Sequence, residues 1–174
     1  MAEPISLELA KKHLRVDSSA EDDLINSYIA DARGWVEDYT GQTLVQAAVS
    51  EPLDCFTGRL LAWPIASVSA VTYLDSEGAE QTLDEDSYEL RNAKRPAYLQ
   101  ATPSAEWPAI YGGGRAVTVQ VVAGYATSAD IPRGMMSAMF VLLEGYYSRD
   151  PDRISAAIAA ARRSCGAKSR GWRL

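Results

Sequence analysis

Apolar side chains recur three and four positions apart over Leu24, Ile25, Tyr28, Ile29, Ala32, Trp35, Val36 and Tyr39, and again over Met135, Met136, Met139, Leu142, Leu143 and Tyr146. Such spacing puts one apolar stripe on an α-helix. Between Leu44 and about Gly124 the repeat falls to two and turn residues become frequent, the pattern of strands. The chain is therefore expected to be helical towards both ends, with a β segment between.

Several boundaries can be placed. Ser6 is a candidate N-cap for a first short helix, whose Leu7, Ala10 and Leu14 share a face. Ser19-Ala-Glu-Asp22 resembles a capping box at the start of the second helix, and Gly41 suits its end. Glu21, Asp22 and Asp23 complement the helix dipole there. The outer face of this helix carries Asp23, Asp31, Glu37 and Asp38. Asp130 is a candidate cap for the third helix, with Pro132 in its first turn, and Arg149-Asp-Pro151 ends it. Ile154–Arg163 is alanine-rich and expected to be helical, its two arginines at the favourable C-terminal end.

Within the β segment, Val68, Ala70, Thr72 and Leu74 alternate with Ser69, Val71, Tyr73 and Asp75, so either face could be the buried one. Asp75-Ser-Glu-Gly78 predicts a turn, with Glu80–Leu83 returning as the hairpin partner. Val117, Val119 and Val121 mark another strand, ending at the Gly124-Tyr125 corner. Lys94–Gly114, with three prolines and three successive glycines, is expected to be loop. The fold class predicted is α+β: a helical bundle from both chain ends with a small antiparallel β-sheet or sandwich inserted between the second and third long helices. The 174 residues suit one domain, divided into a helical pair (5–43), a β insertion (44–125), C-terminal helices (130–165) and a basic tail (166–174).

Composition narrows the class. Hydrophobic residues make up 47% of the chain, which fits a folded globular protein. No apolar run approaches the roughly 20 residues of a membrane span, and MAEPISLELAKKHL lacks the basic start and apolar block of a signal peptide. The expected setting is the cytoplasm or a particle assembled there, without a membrane. Net charge is −6, unevenly distributed: the balance is −7 over residues 1–54, −4 over 55–148 and +5 over 149–174. An acidic body ends in a basic tail. Arg162, Arg163, Lys168, Arg170, Trp172 and Arg173 are candidates for docking a protein partner, with arginines meeting carboxylates and Trp172 as anchor. A solvated terminus or a nucleic-acid contact would use the same residues.

Catalytic signatures are sparse. His13 lies among Lys11, Lys12 and Arg15 with no nucleophile near it in sequence. Glu21, Asp22 and Asp23 diverge by about 100° each on a helix and do not converge on an ion. Gly112-Gly-Gly114 lacks the Lys-Ser/Thr of a phosphate loop. Cys55 and Cys165 have no ligand spacing and are expected to be ordinary thiols. The methionines of the third helix suit either core or an adaptable partner surface. No catalytic, cofactor or metal residue is nominated, and the protein is expected not to be an enzyme.

Four segments, in order, resemble one family. Ile5–Leu44 combines a helix pair, "LRVD" with its acidic cluster, and the exit "VEDYTGQTL". LAWPIASVSAVTYLDSEGAEQTL follows, then Tyr88, then Trp107-Pro108 with VTVQVVAGY, then Ile131-Pro132 and an apolar helix ending in Tyr146-Tyr147 and Arg149. Together these resemble the head–tail connector (adaptor) proteins of long-tailed phages and of gene transfer agents derived from them. Gly134, early in the third helix, and the alanine- and arginine-rich C-terminus depart from the pattern. The resemblance implies a virion protein at the head–tail interface, in a ring commonly of twelve subunits beneath the portal protein. Such a ring extends the channel for double-stranded DNA, without binding it specifically, and receives a stopper or tail-completion protein. Asp23, Asp31, Glu37 and Asp38 are then candidate channel-lining acids, since carboxylates repel phosphates. The competing expectations are a stopper or tail-completion protein, a packaging factor using the basic tail on nucleic acid, and a carboxylate-dependent hydrolase.

Overall fold

The computed structural model describes residues 3–166. It has the predicted α+β class, and its contacts divide it into two compact units. The first unit joins Met1–Val45 to Tyr125–Leu174, and the second is the inserted Gln46–Gly124.

Among the described residues, the first unit holds four helices: α1 (Leu7–Leu14), α2 (Asp22–Thr40), α3 (Arg133–Ser148) and α4 (Pro151–Cys165). Ser6 caps α1, its hydroxyl accepting from the Leu9 N–H at 3.2 Å. Gly41 ends α2 in the left-handed conformation, at φ 59°, where a side chain would be strained. Ile25, Ile29, Ala32 and Val36 of α2 are buried with Met135, Ala138, Met139, Leu142 and Leu143 of α3 and Ala161 of α4. Met136 and Tyr146 are half-buried against this cluster. The methionine stripe is therefore core, with each fully buried side chain contributing about 1.5–3 kcal/mol.

Two caps differ from expectation. Ser19 does not cap α2 with its side chain; Glu21 occupies the cap position and makes no capping bond. Its carboxylate binds Tyr147 and Arg149 instead, while Asp22 pairs with Lys11. Lys11 thus takes the Asp22 carboxylate that a capping box would use. Asp130 does not cap α3 either: it accepts from the Thr127 N–H and hydroxyl, and Pro132 stands at the cap position.

Gly134 has a packing reason. A Cβ there would collide with the Ser164 carbonyl of α4, and a Cβ at Gly145 would lie 2.6 Å from the Ala157 Cβ. The two glycines let α3 and α4 approach closely, and alanines on α4 complete the contact. Asp150 turns the chain between them by accepting from the Asp152 and Arg153 N–H groups, with Pro151 in the first turn.

The second unit holds two antiparallel sheets. One has the order β1 (Ala47–Leu53), β7 (Val117–Ala123), β3 (Ile65–Leu74), β4 (Glu80–Thr82). The other has the order β2 (Arg59–Leu60), β6 (Ala97–Ala101), β5 (Tyr88–Arg91). Their inner faces meet in one core, with Ile65, Val71, Val117, Val119 and Val121 from the first and Leu60, Ala97 and Leu99 from the second. Phe56 stacks on Trp107 at 4.7 Å beside it.

The ambiguous face of β3 is explained by its pairing. Register shifts fall between Ile65 and Ser67 and between Val68 and Ala70. Each inserts an extra residue and reverses the alternation. Ile65, Val68, Val71 and Tyr73 all belong to the core side, although a strict period of two cannot join them. Asp75 closes the predicted hairpin turn by accepting from the Glu77 and Ala79 N–H groups. The expectation that Lys94–Gly114 is all loop is corrected: Ala97–Ala101 is β6, the middle strand of the second sheet. Its buried Ala97 and Leu99 give only two inward positions between flanking prolines, too short a signal to stand out.

Candidate functional site

The described residues include no group of three or more His, Cys, Asp or Glu side chains placed to hold a metal. Nor is any helix among them long and apolar enough to cross a membrane.

The acidic corner at the start of α2 divides by role. The Tyr147 hydroxyl donates to Glu21 Oε2 at 2.6 Å, and Arg149 Nη2 to Glu21 Oε1 at 2.9 Å. The bond to Glu21 raises the Tyr147 pKa, with burial and the Glu21 charge adding to it and Arg149 opposing. Asp22 Oδ1 accepts from Lys11 Nζ at 2.6 Å. Asp23 faces solvent. Asp22 ties α2 to α1 and Glu21 ties it to the end of α3, and the three carboxylates do not converge.

Farther along α2, Asp31 and Asp38 are exposed. Seven residues apart, they lie within about 20° of each other around the helix. Glu37 is different. Its carboxylate accepts from Arg33 Nη1 at 2.8 Å and from the Leu44 N–H at 2.7 Å, so it fixes the exit of α2 rather than presenting free charge. Arg162 and Arg163 are exposed on the last turn of α4. Lys168, Arg170, Trp172 and Arg173 lie outside the described residues.

His13 packs against Phe140 with ring centres 4.9 Å apart, and its Nε2 is 3.9 Å from Glu144. Cys55 is exposed and Cys165 is buried, where desolvation raises its thiol pKa. The glycine run is closed by Asp54, which accepts from the Arg115 N–H at 2.8 Å.

Sequence reasoning missed one surface. Arg59 pairs directly with Tyr98 across β2 and β6, and Tyr98 with Arg91 across β6 and β5. Directly paired residues share a face, so Arg59, Tyr98 and Arg91 form a row across the second sheet. All three are exposed. Lys94, in the β5–β6 connection, lines the same groove of about 820 Å³. The run Arg91-Asn-Ala-Lys-Arg95 was the available signal; only the pairing adds Arg59 and Tyr98 to it.

Comparison with known proteins bears on these surfaces. Residues 4–85 match the family model of the phage gp6-like head-tail connector proteins. The matched span contains α1, α2 and β1–β4, the stretch holding the first two segments on which the connector resemblance rests. No curated protein sequence matches the chain. Among solved structures, a chain in the neck of an empty gene transfer agent (GTA) particle, computed with C6 symmetry, is similar with a TM-score of 0.68 at 24% identity. That match covers 93% of this chain and 92% of the other. A chain of the native GTA virion gives 0.68 at 24% identity, over 91% and 89%. One in the native GTA neck, computed with C12 symmetry, gives 0.65 at 23% identity, over 93% and 92%. At these identities the likeness is one of fold, and it extends through both units.

Proposed function

We propose that this chain is a structural head–tail connector of a phage or gene-transfer-agent particle, acting by shape, charge and oligomerisation without turnover. The connector-family match over residues 4–85 carries the conclusion. The fold shared with GTA neck chains over nearly the whole length supports it. In this function copies form a ring, dodecameric by the symmetry of one such neck, seated in the virion under the portal. The ring extends the DNA channel and offers the tail its attachment site through a stopper or tail-completion protein. Assembly takes place in the bacterial cytoplasm.

Asp23, Asp31 and Asp38 suit a channel wall, because their exposed carboxylates repel phosphates and let a duplex slide. Glu37 contributes less, being held by Arg33 and Leu44. The basic tail from Arg162 onwards docks on the portal or a neighbouring copy. The deciding experiment mixes purified protein with portal-bearing, tailless heads and images the vertex by electron microscopy. A ring of added density below the portal is expected, and a bare portal with folded protein present overturns the assignment. Removing residues 167–174 should leave the fold intact and abolish incorporation; normal incorporation would refute tail docking.

A further inference from the structure

The second unit is polarised in charge. Its second sheet presents the row Arg59–Tyr98–Arg91, with Lys94 beside it. Leu61 follows Arg59 by two residues and is 60% exposed, and Tyr98 is 44% exposed. Among the described residues these are two of only four exposed large hydrophobic side chains. Arginine and tyrosine are the residue types enriched at protein interfaces. The acidic part of the same unit runs from Glu77 through Glu80 to Asp84, Glu85 and Asp86, all exposed. It includes β4, an edge strand whose three residues are all exposed, and an unpaired edge invites a partner.

We infer that the Arg59–Tyr98–Arg91 face binds the acidic Glu77–Asp86 segment of a second copy of this chain. Each copy carries both halves of the contact, so the interface is head-to-tail. Repetition of such a contact closes a ring when the rotation permits. A protein carboxylate fits the face better than a duplex does. The same chain supplies such carboxylates beside the exposed β4 edge, whereas Glu89 on the face, its Oε2 2.8 Å from Arg91 Nη2, repels phosphates and carboxylates alike. The Arg59 fork matches a carboxylate in two parallel bonds, while Arg91 already donates to Gln100 Oε1 at 3.0 Å and to Glu89 and adds its charge.

This inference rests on the ring proposed above, and the test separates the two. Four full-length chains are added to portal-bearing, tailless heads: wild type, Arg59→Glu/Arg91→Glu, Glu80→Lys/Glu85→Lys, and the chain carrying all four changes. Circular dichroism confirms that each is folded. Wild type is expected to form the ring, and each double reversal to lower subunit incorporation at least tenfold. The fourfold variant, in which attraction is restored with the signs exchanged, should recover it. Carbodiimide coupling should also link Lys94 of one wild-type copy to an acid within Glu77–Asp86 of another. A wild-type ring that both double variants also form overturns the face assignment alone. So does a fourfold variant that stays as defective as its parents, or a loss confined to salt-sensitive binding of a DNA duplex. If the wild type forms no ring, both the ring and this contact fall.

Discussion

The helical unit and the β unit solve the same burial problem with different regularity. In the first, α2 and α3 each bury one stripe at constant helical spacing, and the close approach of α3 and α4 is made possible by Gly134 and Gly145. In the second, the core is assembled from short strands, two register shifts in β3 and a loop-flanked middle strand. A helix satisfies its backbone internally, so its buried face follows from its own sequence. A strand satisfies its backbone on its neighbours, so its buried face depends on how they pair. The surfaces differ in the same way: the exposed acids of α2 follow from one helix, whereas the Arg59–Tyr98–Arg91 row exists only once three strands are paired.

The comparison can be broken most directly in the cores. Leu142→Ala should cost about 2–5 kcal/mol and accelerate hydrogen exchange in α2 and α3 far more than in β7. Leu99→Ala, of similar cost, should do the reverse. Equal acceleration in both units from either change would mean that they unfold as one cooperative body. Next in size is Gly134→Ala. In an open helix that change gains about 1 kcal/mol, but here the new methyl meets the Ser164 carbonyl, and a net loss of about 1–3 kcal/mol is expected in urea titration.

Trp35 is half-buried and stacked on Tyr39 at 5.0 Å, so Trp35→Ala should cost about 1–2 kcal/mol, less than a fully buried aromatic. An unchanged melting temperature would show that the stack contributes nothing to the monomer. Gly34 is the counterpart of Gly134: a methyl group added there on α2 would meet nothing within 4 Å. Gly34→Ala should therefore stabilise by about 0.5–1 kcal/mol, and a loss in the same titration would disprove that this site is open.

The smallest effects separate the units by pH. The Tyr147 pKa is raised above its ordinary 10.0 by the bond to Glu21. Its contribution to the helical unit is present below that value and lost as pH rises through the folded-state value. Tyr147→Phe should flatten the alkaline limb of the stability curve. The Asp75 pKa is lowered beneath its ordinary 3.8 by the Gln81 side chain, then by the Ala79 N–H. Its contribution to the β hairpin is present above 3.8 and lost as pH falls through the folded-state value. Asp75→Asn should flatten the acid limb, and limbs unmoved by either change would remove these bonds from the stability of their units.

Legibility followed this physics. The stripes of α2 and α3, the Ser6 and Gly41 caps and the Asp75–Gly78 turn could be read directly, because each depends on residues within about two helical turns or one hairpin. The start of α2 could not, since Glu21 is drawn to Tyr147 and Arg149, 126 and 128 residues away. Asp23, Asp31 and Asp38 were legible as exposed acids; Glu37 looked the same until Leu44 folded back onto it.

The amino-acid sequence by itself determined the order of helical and β segments, the apolar faces of the helices, the charge imbalance and the connector resemblance, because periodicity and local turn chemistry are properties of short stretches. Only the tertiary structure decided which side of β3 is buried, why Gly134 is tolerated in a helix, and which arginines stand beside Tyr98. Those outcomes depend on residues far apart in the chain, whose pairing no local pattern records.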